Sequence, residues 1–199
     1  MLASLEEYLN TAYSPDREYV DGAVVSRNVG ERPHSRVLGN LAFCLRSRCP
    51  HLFIWPTLRL QTVPGRRCRV PDVCVTLEDP GIDVFEAPPL ICIEIISKKD
   101  RLSRIVAKCE EYAAFGVPYI WVLDPRRKKA FTFDNGRLEE VQSAALAAAT
   151  HHIHLPLEEI FHGLQGTLAT SRPCYPVSHT RASRKCHRML NFPPIRDFL

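Results

Sequence analysis

The sequence lacks an apolar run long enough to cross a membrane. Its first ten residues include two glutamates and no apolar segment of the kind that secretory signals contain. The eight cysteines include no C-x-x-C pair, a spacing typical of zinc and redox sites. Cys44, Cys74, Cys92 and Cys109 fall within apolar patterns, where a free cysteine behaves as a small buried hydrophobe. We therefore expect a cytoplasmic protein without a membrane partner, because that compartment keeps thiols reduced.

A strong excess of one charge is also missing over most of the chain. Residues 167–199 contain six basic side chains and one acidic side chain, which leaves 20 basic and 21 acidic residues in 1–166. The overall charge of this larger part therefore gives no argument for a nucleic-acid partner.

The two parts differ in pattern as well as in charge. The chain of 199 residues is long enough for one domain with a buried core, which we assign to 1–166. Residues 167–199 contain prolines, scattered basic side chains and little apolar periodicity, so we predict a basic, disordered tail. Two cysteines and two histidines lie in this tail, but their spacing matches no familiar zinc motif.

The chain does contain an apolar stretch of strand length with an acid in its middle. Residues 90–96 are rich in β-branched side chains and read as a strand buried on both faces, with Glu94 near the centre. A buried ionised carboxylate is costly unless it pairs with a cation or binds a metal. For one isolated acid, pairing with an arginine or lysine is the simpler interpretation.

A second acid, Asp72, lies in another apolar stretch. Residues 69–76 read as a strand, and Pro71 stands near its start, where a missing N–H is tolerated. Taken alone, Asp72 is more typical of a turn after a proline. If the two strands are neighbours, Asp72 and Glu94 converge on one pocket, where a divalent cation relieves their repulsion. Without metal, replacing either acid by its amide should then be neutral or stabilising.

The rest of 1–166 alternates between helix and strand patterns. Capping-box spacing at Ser4 and Glu7 predicts a short first helix, and Asp21-Gly22 predicts a hairpin turn. Helical periodicity predicts two longer helices, at 34–48 and at 100–115. Apolar and hairpin patterns predict strands at 17–27, 52–55, 58–63, 119–123, 130–133 and 138–141. These elements predict an α/β domain in which helices pack on a mixed sheet.

Three other polar residues have alternative interpretations. Glu18 precedes the hairpin turn and reads either as a solvated strand residue or as part of a site. His34 begins a helix and is more typical of a cap or a surface residue, so we leave it outside the site. Lys108 lies at the edge of the apolar stripe of its helix, where a surface lysine with a packed aliphatic stem is the simpler interpretation.

Several short motifs occur together in a characteristic order. They are EYVDG at 18–22, VPD at 70–72, IEIIS at 93–97, KCEEY at 108–112 and GVPYIWVLDP at 116–125. In these motifs the chain resembles the PD-(D/E)XK nuclease superfamily, and more closely its Uma-type restriction endonucleases, over about residues 5–161. Each motif alone is weak, but their order and spacing together make the resemblance strong.

The resemblance implies a restriction-endonuclease-like fold, in which a mixed central sheet is flanked by helices. It implies a DNA endonuclease that uses Mg²⁺, replaceable by Mn²⁺, with Asp72, Glu94 and Glu18 as metal ligands. The catalytic residues would be Asp72, Glu94 and Lys108. The superfamily signature has a lysine two residues after the strand acid, but Ile96 stands there, and Lys108 on the next helix is the match. A homodimer is a further implication.

A catalytically silent nuclease fold that binds nucleic acid or a protein partner is the alternative. The retained acids and Lys108 argue against it, whereas the near-neutral charge of 1–166 favours it. DNA cleavage with Mg²⁺ or Mn²⁺, compared with a chelator control, separates the two functions.

Overall fold

Residues 1–27 and 30–164 are described by the structure, which is a computed structural model. The helices are α1 (Leu5–Leu9), α2 (Arg32–Arg48), α3 (Leu102–Phe115) and α4 (Leu157–Ile160), and Ala149–His151 forms a 3₁₀ turn. The strands are β1 (Arg17–Val20), β2 (Ala23–Ser26), β3 (Phe53–Pro56), β4 (Arg59–Val63), β5 (Arg67–Arg69), β6 (Val73–Thr76), β7 (Val84–Phe85), β8 (Ile91–Ile95), β9 (Tyr119–Asp124), β10 (Lys129–Asp134), β11 (Arg137–Glu140), β12 (Ala145–Ala148) and β13 (Ile153–Pro156). The tail predicted at 167–199 lies outside the described residues.

A six-stranded sheet, in the order β11-β10-β9-β8-β6-β3, carries the two acidic stretches. Strands β8 and β9 are parallel and the other neighbours are antiparallel, so this sheet is mixed, as predicted. All five residues of β8 are buried, which confirms the expectation for residues 90–96. Strand β6 lies directly beside β8, so the stretches that contain Asp72 and Glu94 are neighbours.

The side chains of β8 alternate between two apolar layers. Its three isoleucines pack with buried residues of α2 in one cluster, whereas Cys92 packs with Tyr112 and other residues of α3 in another. Because successive residues of a strand point to opposite faces, Glu94 shares the face of Cys92 and points toward α3. Because the side chains of β8 alternate in this way, Glu94 contacts α3 rather than α2.

Helix α3 returns along this sheet and ends where the sequence predicts. Gly116 adopts φ = 101°, the left-handed conformation that closes a helix C-terminus at low steric cost for glycine. The helix begins two residues later than the predicted start at 100, because Arg101 is the N-cap and Leu102 the first helical residue. The Asp100 carboxylate accepts the N–H of Ser97 at 2.7 Å, which fixes the turn between β8 and α3.

A second sheet, in the order β2-β1-β5-β4-β7, is not evident from the sequence. The hairpin at Asp21-Gly22 forms β1 and β2, as predicted. The single strand predicted at 69–76 is wrong, because the chain leaves β5 of this sheet and enters β6 of the six-stranded sheet. Irregular backbone at 70–72 makes this crossing, so Asp72 lies just ahead of β6 rather than within a strand.

The structure confirms that Cys44, Cys74, Cys92 and Cys109 are buried, as their apolar patterns predict. Six cysteines are buried and free: Cys44, Cys49, Cys68, Cys74, Cys92 and Cys109. Within residues 1–27 and 30–164, no helix has the length and apolar character needed to span a membrane.

Candidate active site

Three buried carboxylates from separate segments line one cavity of about 40 Å³, and the half-buried Asp100 is a fourth acid in its lining. The three buried carboxylates belong to Glu18 of β1, Asp72 ahead of β6 and Glu94 of β8, and each residue is at most 5 % exposed. Asp72 and Glu94 meet because β6 and β8 pair with Val73 opposite Ile93. Glu18 reaches the same place because β1 pairs with β5, the strand that leads into the crossing at 70–72.

Asp72 is surrounded by donors. Its Oδ1 accepts a hydrogen bond from Arg27 Nη2 at 2.7 Å, and its Oδ2 accepts the N–H of Ile95 at 2.7 Å. His34 Nε2 lies 3.2 Å from the same Oδ2. Burial raises the pKa of Asp72, but the hydrogen bond and charge of His34 and the charge of Arg27 outweigh it. The pKa of Asp72 is therefore below its ordinary value, and the carboxylate is ionised at neutral pH.

Glu94 has fewer favourable contacts. Lys108 Nζ lies 3.1 Å from Oε1 and 3.0 Å from Oε2, and the Tyr112 hydroxyl donates to Oε1 at 2.7 Å. Burial raises the pKa of Glu94, and repulsion from Asp72 and Glu18 adds to that effect, so the attraction of Lys108 does not restore the ordinary value. Among the three carboxylates, the ionised form is least favoured at Glu94.

Lys108 bridges two of the acids. Its Nζ also lies 2.7 Å from Glu18 Oε1, and its side chain is only 12 % exposed. One helical turn separates Lys108 from Tyr112, so both residues approach Glu94 from the same face of α3. Burial lowers the pKa of Lys108, but Glu94 and Glu18 outweigh it and raise the pKa, so the amine keeps its proton at neutral pH.

The lysine beside the strand acid comes from α3, not from the segment that follows β8. Ile96 occupies the position of the signature lysine, and Lys98 and Lys99 are both exposed. The structure therefore brings Lys108 together with Asp72, Glu94 and Glu18, which is the set that the sequence singled out.

Arg27, His34 and Arg69 were missed by sequence reasoning. His34 is not a cap or a surface residue but is buried against Asp72 and lines the cavity. Arg69 Nη1 lies 3.1 Å from Glu18 Oε2 and neutralises that acid from the second sheet. Charge balance was the available signal, because three buried carboxylates require partners and the sequence had suggested only one cation.

The donor set suits a hard divalent cation. Carboxylate oxygens are the ligands that Mg²⁺ prefers, and the cavity is larger than the roughly 10–15 Å³ that one water needs. Burial, with repulsion from Asp72 and Glu18, raises the pKa of Glu94, so an added cation beside Glu94 would favour its ionised form. No group of three or more His, Cys, Asp or Glu side chains in the described parts of the chain is already arranged around one ion position. A cation between Asp72 and Glu94 would therefore replace contacts now made by Arg27 and Lys108.

Comparison with known proteins gives two positive findings. A family model, Uma2, described as "Putative restriction endonuclease", matches residues 5–170. The crystal structure of a "putative nuclease belonging to DUF820" from Anabaena variabilis ATCC 29413 is similar, with a TM-score of 0.70 and 19 % identity over 82 % of this chain and 99 % of that one. Among curated proteins, none matches. At 19 % identity the structural likeness establishes the fold alone.

The mixed sheet, its flanking helices and this likeness define an α/β protein with a nuclease fold. Within that class, the match over 5–170 shows that the chain belongs to the Uma2 family. The description of the family supports a nuclease function for this chain and agrees with the resemblance in its motifs.

Proposed function

We propose that the protein is an endonuclease that hydrolyses DNA phosphodiester bonds with Mg²⁺, or with Mn²⁺ in its place. One observation carries this proposal, the convergence of Glu18, Asp72, Glu94 and Lys108 on one buried cavity. Membership of a family described as restriction endonucleases supports it. The order of the acids, with Pro71-Asp72 ahead of one strand and Glu94 within the next, supports a PD-(D/E)XK type of site.

Asp72 and Glu94 would hold the metal, with Glu18 as a third ligand. When bound, the ion would neutralise charge on the scissile phosphate and lower the pKa of a bound water. The Ile95 N–H and the Tyr112 hydroxyl, which donate to Asp72 and Glu94, orient these carboxylates toward the cavity.

Lys108 would act as a fixed positive charge. Because its pKa is raised, the ammonium does not accept a proton from water at neutral pH. It can instead donate hydrogen bonds to the phosphate oxygens as negative charge develops on them. Glu18 and Glu94 hold the ammonium beside the cavity through contacts of 2.7 and 3.0 Å, and a metal bound by Glu94 would free Lys108 to face the phosphate.

Plasmid cleavage tests this function. Supercoiled DNA incubated with the full chain should be nicked or linearised in Mg²⁺ or Mn²⁺ and left intact in EDTA. Glu94→Gln, which keeps the shape of the side chain, is the matched control and should abolish cleavage. Absence of metal-dependent cleavage, or equal cleavage by Glu94→Gln, would contradict the proposal.

A catalytically silent nuclease fold is the second candidate, and one observation favours it. Arg27, Lys108 and Arg69 already pair with the three buried acids, so each acid has a cationic partner without a metal. A silent protein would bind DNA or a partner protein without cleaving DNA, and Mg²⁺ would not raise its melting temperature. The plasmid assay therefore separates the candidates.

We further infer a cytoplasmic location, because six buried free cysteines suit a reducing compartment. The homodimer implied by the family resemblance stays a prediction, which sedimentation of the purified chain would test.

A further inference from the structure

Basic side chains are concentrated beside the cavity of the candidate active site. Three segments meet at the edge of the six-stranded sheet where β8 and β9 end: residues 97–104, 124–128 and 31–34. Together they contain eight exposed basic side chains, which we call the basic rim: Arg32, Lys98, Lys99, Arg101, Arg104, Arg126, Arg127 and Lys128. The same segments contain three acids, Glu31, Asp100 and Asp124. The rest of 1–166 is therefore acidic overall, since the whole of that part holds 20 basic and 21 acidic residues.

The topology explains why these segments are neighbours. Parallel β8 and β9 end side by side, and the N–H of Ile96 donates to the Leu123 carbonyl at 2.8 Å. The turn after β9 then reaches the start of α2, where Arg126 Nη2 lies 2.5 Å from Glu31 Oε2. Residues from the same two helical starts, His34 and Arg104, line the cavity of the three acids. The basic rim therefore lies beside the candidate active site, and Arg104 is the member of the rim that lines its cavity.

The two helices add to the positive potential. The first turns of α2 and α3 contain no acid, and neither N-cap side chain makes a capping hydrogen bond, since Glu31, the N-cap of α2, pairs with Arg126 instead. Helix N-termini carry partial positive charge and free N–H groups. Both starts therefore reinforce the charges of the basic rim.

We propose that the basic rim binds the DNA phosphates on either side of the phosphodiester placed in the cavity. This inference rests on the proposed function for its choice of DNA. Asp72, Glu18 and Glu94 pair with Arg27 and Lys108, which limits their repulsion of a polyanion but gives the cavity no net attraction for one, and the domain as a whole is nearly uncharged. Long-range attraction of DNA then comes from this edge of the sheet, and it is independent of base sequence because it acts on phosphates.

Fluorescence anisotropy of a labelled DNA duplex, measured in EDTA with the full chain, tests the basic rim without requiring cleavage. Two double variants remove two charges each, Lys98→Gln with Lys99→Gln and Arg127→Gln with Lys128→Gln. Arg46→Gln with Arg137→Gln is the matched control, since both side chains are exposed. Arg46 lies about 21 Å along α2 from Arg32. Arg137 follows the turn after β10, at the opposite edge of the sheet.

Each rim variant should weaken binding and reduce the slope of log K against log salt by about 1.8, because about 0.9 is lost per phosphate contact. The control variant should keep the slope of the unmutated protein. Equal slopes in the rim and control variants, or no binding of the duplex by the unmutated chain, would overturn the proposal.

If the rim variants lose binding but Mg²⁺ produces no cleavage, the basic rim stands and the nuclease proposal fails. If all proteins cleave and bind alike, the nuclease stands and the basic rim fails.

Discussion

Asp72 and Glu94 line one cavity, but their surroundings differ. Asp72 accepts hydrogen bonds from Arg27 and the Ile95 N–H, and these donors favour its ionised form. Glu94 is buried beside two other acids and shares Lys108 with one of them, so its ionised form is disfavoured. The sequence alone treats the two acids as equivalent, whereas the structure predicts opposite effects when each is replaced by its amide.

Glu94→Gln should be neutral or stabilising at pH 7 without metal, whereas Asp72→Asn should lower the free energy of unfolding by about 2 kcal/mol. The lowered pKa of Asp72 stabilises the fold above the unfolded pKa near 4, and this stabilisation is lost as pH falls through the folded pKa. The pKa of Glu94 is shifted in the opposite direction, so the ionisation of Glu94 destabilises the fold as pH rises. Melting temperatures in EDTA at pH 7 and below pH 4 measure both effects.

Metal titration completes this comparison. Mg²⁺ should raise the melting temperature of the unmutated protein and of neither variant, because each has lost one ligand. An equal rise in all three proteins would show that Asp72 and Glu94 do not share the ion.

Lys108→Met should still fold, because the aliphatic stem is retained, but its free energy of unfolding should fall, because Glu18 and Glu94 lose their shared cation. Cleavage at saturating DNA should fall by about 100-fold or more, judged from the loss caused by removing one donor to developing charge. DNA binding in EDTA should change little, since Lys108 contacts acids rather than the basic rim. Lys108→Arg, which keeps the charge, should retain part of the activity. Full activity in Lys108→Met would remove Lys108 from the catalytic set.

At the scale of elements, α3 is joined to the second sheet by a buried acid. Glu111 accepts hydrogen bonds from Arg69 Nε at 3.0 Å and Arg69 Nη2 at 2.7 Å, and from Thr62 Oγ1. Arg67 Nη1 lies 3.2 Å from the same carboxylate. Because Arg69 also contacts Glu18, this network connects the position of α3 to one of the three site acids.

Glu111→Gln should lower the free energy of unfolding by about 2 kcal/mol at pH 7, because one charged acceptor serves two guanidinium groups. Burial raises the pKa of Glu111, but the hydrogen bonds of Arg69 and Thr62 outweigh it and lower the pKa. Its stabilisation is therefore present above the unfolded pKa near 4.3 and lost as pH falls through the folded pKa. The difference in melting temperature between the two proteins should shrink below pH 4. If the difference in melting temperature stays constant across pH, the stabilisation by Glu111 comes from the shape of its side chain and not from its charge.

Local patterns explain which elements were predictable. The apolar run of β8, the periodicity of α3 and the conformation at Gly116 depend on neighbouring residues, and the structure confirms them. The second sheet depends on pairing between distant strands such as β1 and β5, which short-range periodicity does not encode. Asp72 was placed in a strand for this reason, and Arg27 and His34 were missed because their partner lies 45 and 38 positions away in the sequence.

At the scale of the whole molecule, the distribution of basic side chains is more informative than the net charge. Composition predicts a nearly neutral domain, and a neutral total gives no argument for nucleic acid. The fold places eight basic side chains at the edge where β8, β9 and α2 meet, so the neutral total conceals a strongly positive face. A polyanion responds to this local field within about a Debye length, roughly 8 Å at physiological salt, and not to the net charge of the chain.

A chain ending at Thr170 should keep the melting temperature and far-UV spectrum of the full chain. Within the described residues, three apolar clusters form a core, and no buried side-chain nitrogen or oxygen lacks a hydrogen-bond partner. The family match also ends at residue 170. The removed residues include six basic side chains, so the shortened protein should bind DNA with a smaller salt slope while the effect of the rim variants persists. Loss of cooperative unfolding on truncation would show that residues 171–199 contribute to the folded core.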